Sequence, residues 1–427
     1  MAELPATLAG MLDVIERRAP QSRIELGLDR VRTVHLRLGL TLDATRVISV
    51  AGTNGKGSTV AFLEAVAAAA GIGHAAYTSP HLVRFGERIR IDGAAAPDDE
   101  IAEALVRVER ARADVPLTWF EHVTLAAFCV AAARRPRWLI AEVGMGGRLD
   151  AVNVLDADVA VITSIGLDHQ RWLGRTRAAI AREKCGIARR DHPVIVGEKN
   201  RPGGMLDRLE QLGARPLLAG RDFNWRWRGE RVRIDLGRVR LGPLQPGLAG
   251  RHQAGNAACA ALAALEAAPG LDAGELAAGL AAARLPGRFE YLAGNPDVVV
   301  DVAHNPAAAR ALGAQLLRLP GRKLAVFAAL SDKDVAGIVH ALSGQIDRWF
   351  AATLQAPRAV PAATLRRRMV AAGARLAPEA LESVSDALAA ARRAARSGDT
   401  VVVFGSFLTA AAAVEALQSE QPDPPSE

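Results

Sequence analysis

Short apolar runs of strand length alternate with helix-length stretches through most of this chain, and few architectures accept such an order. RVISVAG from Arg46, HAAYTS, RWLIAEVG, DVAVITSI and HPVIVG read as buried strands, and DDEIAEALVRVERARA and TLAAFCVAAARR between them have helical spacing. Strands separated by helices run parallel, and a parallel sheet needs helices on both faces. Composition permits this, because half of the 427 residues are hydrophobic. From about residue 215 to 245 the pattern turns to polar–apolar alternation, RWRGERVRIDLGRVRL, which predicts a small antiparallel sheet, and HQAGNAACAALAALEAA then predicts a helix. Proline, glycine and polar residues gather in ARLPGRFEYLAGNPD, a domain boundary. Beyond it VVVDVAHN, KLAVFAAL, RWFAAT and TVVVFGS alternate with alanine-rich helices. The expected organisation is one α/β domain over 1–286, a smaller α/β domain over 287–420 and a disordered tail over 421–427.

Residues able to do chemistry sit where the strands end. After the strand from Arg46 comes Gly52-Thr53-Asn54-Gly55-Lys56-Gly57-Ser58, followed by the helical run TVAFLEAVAAAA. The glycines let backbone N–H groups approach a phosphate, the helix N-terminus adds a favourable dipole, and Lys56 can pair with β- and γ-phosphates. The spacing departs from the usual phosphate loop: two residues rather than four separate Gly52 from Gly55-Lys56, and Gly57 intervenes before Ser58. Lysine usage picks out the same place. Five of the 53 basic residues, Lys56, Lys184, Lys199, Lys323 and Lys333, are lysine, leaving 48 arginines. An ammonium is a compact charge that can lose its proton and react, whereas a guanidinium stays charged.

Further candidates follow. Ser79, in Thr78-Ser79-Pro80-His81, is placed either to ligate magnesium or to form an ordinary turn. Glu142 follows four apolar residues and precedes a glycine run, a position that suits a hard-cation ligand or a solvated strand end. Asp168 and His169 follow DVAVITSIGL, as ligands or as a capping pair; Lys184 closes AAIAREK, as a reactive amine or a helix-end cation. In the second half Asn256, Arg288, Asp301, His304, Asn305 and Asp332-Lys333-Asp334 read as nucleotide contacts in a cleft between domains or as caps and loops.

A net charge of +7 admits nucleic acid or a polyanionic small molecule as partner. Aromatic residues are only 4% and none interleave with a basic run, which disfavours single-strand stacking. Three cysteines, Cys129, Cys185 and Cys259, are odd in number and lack metal-ligand spacing, so a reducing cytoplasm fits better than a disulfide framework. No apolar run reaches bilayer length and no basic-then-apolar leader opens the chain, so a soluble cytoplasmic protein is expected, without membrane or nucleic-acid partner and monomeric.

The set AGTNGKGST, SPHLVRFGERIRIDG, TWFEHVTLAAF, EVGMGGRLDAVN, TSIGLDHQRWLG, EKCGI, LPGRFE, DVAHNP, SDKD and VVVFGSF, in this order, resembles the bifunctional dihydrofolate synthase/folylpolyglutamate synthase family of Mur-type ligases. The resemblance implies a P-loop-like N-terminal domain with a mostly parallel sheet and a smaller Rossmann-like C-terminal α/β domain. It implies ATP-dependent joining of L-glutamate to 7,8-dihydropteroate and to tetrahydrofolate or folate polyglutamates through an acyl phosphate. By that resemblance Gly52 to Ser58, Asn256, Arg288 and Asp301 contact ATP; Ser79, Glu142, His169 and a carbamylated Lys184 hold Mg2+; and Lys56, Lys184 and His304 are catalytic. Arg23, Ile24, Glu25, Leu26, Thr118, Trp119, Phe120, Glu121, Leu149, Asp150 and Ala151 would form the dihydropteroate site, and Asp332, Lys333 and Ser406 would serve glutamate or closure. Three departures stand out: Val152 replaces the usual threonine, Cys185 the usual alanine, and Ala328, Ala329 and Ser331 alter the segment before Asp332. A cell-wall Mur ligase shares the nucleotide chemistry, but TWFE and GRLDA argue against it.

Overall fold

The computed structural model describes residues 4–292, 296–378 and 381–419. They divide into two compact units, 4–81 with 85–248 and 253–284, and 82–84 with 249–252 and 285–419. The expected disordered tail, 421–427, lies outside the described residues, while Ser419 ends the helix Phe407–Ser419.

The first unit is built on eight strands: β1 (Arg46–Ala51), β2 (His74–Tyr77), β3 (Ile89–Ile91), β4 (Ala94–Ala95), β5 (Trp138–Glu142), β6 (Val159–Ile162), β7 (Pro193–Val196) and β8 (Arg215–Leu218). Their order is β4-β3-β2-β5-β1-β6-β7-β8, with β2 to β8 parallel through β5, β1, β6 and β7 and the β3–β4 hairpin antiparallel at one edge. β1 is buried in five of its six residues, as a strand covered on both faces must be. The helices Lys56–Ala69, Trp119–Arg134 and Gln253–Ala267 are apolar nearly all round, which is why they can lie inside the unit. Because β5 and β6 flank β1 while the chain visits them much later, the carboxyl end of β1 opens at the place where the strand order reverses, the usual position for a ligand crevice.

One expectation needs correcting. RPLL at 215–218 is not part of the antiparallel sheet; it pairs parallel with β7 as the outer strand of the large sheet. The antiparallel sheet is formed by β9 (Asn224–Arg228), β10 (Arg231–Asp235) and β11 (Arg240–Leu244).

In the second unit β12 (Glu290–Leu292), β13 (Asp297–Val300), β14 (Lys323–Phe327), β15 (Arg348–Ala351) and β16 (Thr400–Phe404) lie in the order β12-β13-β16-β14-β15. Only β12 is antiparallel, and it lacks an apolar run that would announce it.

Candidate active site

The loop after β1 is fixed by side chains from the end of β6. Thr163 Oγ1 donates to the Asn54 carbonyl at 2.7 Å, and the Ser164 hydroxyl meets both the Asn54 carbonyl, at 2.9 Å, and its N–H, at 3.0 Å. Thr53 exchanges hydrogen bonds with Gly166 through its hydroxyl. Two glycines are required by this packing. A Cβ on Gly52 would lie 1.8 Å from Thr163 Oγ1, and Gly55, with φ 89°, would press one against Asn256 Oδ1 at 2.4 Å. Gly55 precedes the helix Lys56–Ala69 with no side-chain cap, and the positive, N-terminal end of that helix faces the loop.

Two lysines from distant segments converge here. The Lys56 and Lys184 ammonium groups both donate to the Gly52 carbonyl, at 3.3 and 2.9 Å. Lys184 ends the helix Arg177–Cys185 and is buried; desolvation, then the nearby Lys56 charge, lowers it to about 7. Burial and lowered basicity set Lys184 apart from a surface helix-end cation and make its amine easier to deprotonate. Buried Glu142, at the carboxyl end of β5, lies 3.9 Å from Lys56 Nζ and accepts the Ser79 N–H at 3.4 Å. Ser58 accepts from Gln253 Nε2 at 3.2 Å, and Gln253 in turn accepts from Asn256. Asp168 and His169 do not follow β6 directly: the strand ends at Ile162, and His169, with φ 50°, starts the short helix Gln170–Leu173 while donating its N–H to Asp168.

A second group of expected residues also comes together. Thr118 and Glu121 form a reciprocal capping box at the helix Trp119–Arg134, and Glu121 is buried. Leu149 accepts the Gly27 N–H at 3.3 Å, tying the 23–28 loop to the GRLDA turn. Asp150 is buried beneath that turn; burial raises its carboxyl to about 6 although it accepts the Met145 and Val152 N–H groups at 2.8 and 3.0 Å. Ala151 packs in the core, and the Phe120 ring centroid stands 6.3 Å from that of Tyr77. Arg23 pairs with Glu25 at 3.0 Å, while Ile24 and Leu26 are half-buried. The sequence reading missed Arg30, whose guanidinium reaches Glu121 and the Glu25 carbonyl, and gave no role to buried Arg88. Arg88 donates to His81 Nδ1 at 2.8 Å and lies 4.9 Å from the centre of the Trp119 ring; burial, then Arg88, lowers His81 to about 4.

In the second unit several expected residues are engaged with backbone. Asp301 accepts the Phe289 and Ala303 N–H groups at 2.9 and 2.8 Å, and burial raises its carboxyl. Asn305 caps the helix Pro306–Leu316, Asp334 caps Val335–Ala341, and Ser406 accepts the Thr409 N–H. His304 and Arg288 both lie against the Phe407 ring, and Lys333 pairs with Asp332 at 3.3 Å.

Residues 50–264 match the Mur ligase middle domain and residues 287–407 the Mur ligase glutamate ligase domain. Over 425 residues the chain is 41% identical to dihydrofolate synthase/folylpolyglutamate synthase of Escherichia coli K12, covering 97% of this chain and 96% of that one. This chain belongs to the dihydrofolate synthase/folylpolyglutamate synthase family. The Haemophilus influenzae relative of the same description is 36% identical over 417 residues, covering 91% and 92% of the two chains. E. coli FolC in complex with DHPP and ADP superimposes with a TM-score of 0.92 at 38% identity, covering 99% and 100%. A bifunctional folylpolyglutamate synthase/dihydrofolate synthase with Mn, AMPPNP and L-glutamate bound superimposes with a TM-score of 0.89 at 38% identity, covering 97% and 100%. The two-unit α/β architecture expected from the sequence is the architecture of these proteins.

Among the described residues no group of three or more His, Cys, Asp or Glu side chains is arranged to hold a metal ion. The donor set expected from the resemblance is of another kind: a serine hydroxyl, a carboxylate, an imidazole and an oxygen added to a lysine. Two of these residues fit it: Glu142 offers a buried carboxylate next to the Ser79 backbone, and Lys184 offers a buried amine of lowered basicity. No described helix is long and apolar enough to cross a membrane.

Proposed function

We propose that this protein joins L-glutamate to 7,8-dihydropteroate, giving dihydrofolate, and adds glutamate to tetrahydrofolate and folate polyglutamates, converting ATP to ADP and phosphate. The single observation that carries this reading is the convergence of Lys56 and Lys184 on the Gly52 carbonyl beside buried Glu142, at the mouth of a glycine-rich turn.

Gly52 to Ser58 cradle the ATP phosphates with backbone N–H groups, and Lys56 leaves the Gly52 carbonyl to pair with the transferring phosphate. Asn256, Arg288 and Asp301 are the further nucleotide contacts. A carboxylate oxygen of the pterin substrate attacks the γ-phosphorus; the bond to ADP breaks and an acyl phosphate forms. The glutamate amine then attacks the acyl carbon, loses its proton and expels phosphate, which keeps the substrate's oxygen. The chain's part is to hold three reactants in line and to neutralise oxygens as charge moves onto them. Lys184, as its neutral amine, bonds through nitrogen to the carbon of carbon dioxide and releases a proton to solvent, leaving an anionic carbamate, which explains why arginine would not serve there. Ser79, Glu142, His169 and that carbamate would hold Mg2+, which when bound offsets charge on the phosphate oxygens. The pterin lies among 23–26, 118–121 and 149–151, with Asp150 the buried hydrogen-bonding group. His304, Asp332, Lys333 and Ser406 are assigned to glutamate and closure.

Three buried free thiols support a reducing cytoplasmic location, and the reading is of a monomer with no nucleic-acid partner. The test is ADP release with ATP, magnesium and glutamate, run in parallel with dihydropteroate, tetrahydrofolate and a UDP-muramyl peptide. Release with the two pterins and not with the peptide is expected. Release with the peptide alone would replace this reading by a cell-wall ligase.

A further inference from the structure

Arg30 lies in the first turn of the helix Asp29–Leu38, where a positive side chain opposes the helix dipole. What holds it there is a fork of contacts made inward. Its Nη2 donates to Glu121 Oε1 at 2.9 Å and to the Glu25 carbonyl at 3.0 Å, its Nε reaches Glu121 Oε2 at 3.3 Å, and its Nη1 stands 3.9 Å from Glu25 Oε1. The capping box does not require this fork. Glu121 Oε2 already accepts the Thr118 N–H at 2.7 Å, and Thr118 returns the bond to the Glu121 N–H. The loop does require an anchor. Residues 23–28 form neither helix nor strand, Arg23 and Glu25 are exposed, and the other four are only partly buried, Leu26 against the core. The Arg23 N–H bonds to the Pro20 carbonyl just before the loop, and the 3.3 Å Gly27–Leu149 hydrogen bond and the Arg30 fork tie the loop to more distant segments.

We infer that Arg30 is a positioning residue for the pterin substrate: its fork fixes the 23–28 loop to the Thr118–Glu121 turn, 91 residues away in sequence, so that the two walls of the substrate site are preformed. This rests on the function proposed above. An ordered site binds without first arresting a loop, so the fork acts on pterin affinity and leaves the phosphoryl-transfer machinery, which shares no hydrogen bond with it, untouched. Lysine keeps the charge and loses the fork, since one ammonium cannot span Glu121 and the Glu25 carbonyl with planar geometry.

Steady-state constants for dihydropteroate, ATP and glutamate are measured for wild type, Arg30→Ala and Arg30→Lys, alongside ADP affinity and thermal melting. For Arg30→Ala the KM for dihydropteroate is expected to rise about 10- to 100-fold, the loss that corresponds to charge-assisted hydrogen bonds, with kcat, KM for ATP and ADP affinity unchanged. Arg30→Lys is expected to fall between, and it decides the matter alone if the alanine variant does not fold. An unchanged KM for dihydropteroate in either soluble variant, or a loss of kcat with that KM unaltered, overturns the inference while leaving the proposed function standing. Wild type inactive on dihydropteroate and tetrahydrofolate alike overturns both.

Discussion

Both units of this protein bring polar residues to the ends of a parallel sheet, yet those residues are employed differently. In the second unit Asn305, Asp334, Ser406 and Asp301 accept backbone N–H groups, so each contributes to ending a strand or starting a helix. In the first unit Lys56 and Lys184 meet at one carbonyl, Glu142 lies 3.9 Å from Lys56, and burial has lowered one of the lysines. Two lysines held this close are costly to keep charged together, which is part of why Lys184 is lowered, and such a cluster is retained where an anionic ligand offsets its charge. A polar residue at a strand end is therefore not a ligand by position alone. What sets the first unit's cluster apart is that two lysines from distant segments share one carbonyl acceptor.

The largest effect that would sharpen this contrast is loss of Lys56. Lys56→Ala should lower kcat by about 10²- to 10³-fold, the range seen when one donor to a transition-state oxyanion is removed, with the melting temperature little changed. Near-normal turnover would remove the phosphate role from the loop. Next is Lys184. Lys184→Arg should abolish most activity while keeping a positive charge, and added bicarbonate should not restore it. In the wild type, activity should fall as pH drops below about 7, because the protonated amine cannot take up carbon dioxide. The same group affects folding: the unfolded chain holds the extra proton up to about 10.5, so stability should increase as pH rises from about 7 through that window. A flat melting profile there would contradict the burial assigned to Lys184. The smallest effect lies in the second unit, where Asn305→Ala should cost about 1 kcal/mol of stability through the lost helix cap, measured by chemical denaturation. A catalytic collapse without any loss of stability would show that this unit's strand ends resemble the first unit's more than their geometry suggests.

Much of this was legible in the residues. β1, its loop and the following helix announce themselves because one apolar run, a glycine cluster and a helical period lie within about two dozen positions, and the βα alternation leads directly to parallel sheets in both units. What escaped is what depends on distant partners. β8 is four residues long and contains Pro216, so only its pairing with β7 marks it as a strand. Thr163 and Ser164 read as ordinary strand-end residues until the fold sets them against Asn54. Arg30 is one of 48 arginines, and nothing local separates it from the solvated ones; its meaning comes from Glu121, which no helical or strand period links to it.

Central to the proposed function is activation of the pterin's carboxylate by ATP at the Lys56 loop. Dihydropteroate labelled with 18O in its carboxylate, incubated with the enzyme, ATP, magnesium and glutamate, tests it most directly by mass analysis of the phosphate released. One labelled oxygen in each phosphate is the predicted result. Unlabelled phosphate accompanying dihydrofolate formation would contradict the acyl phosphate route.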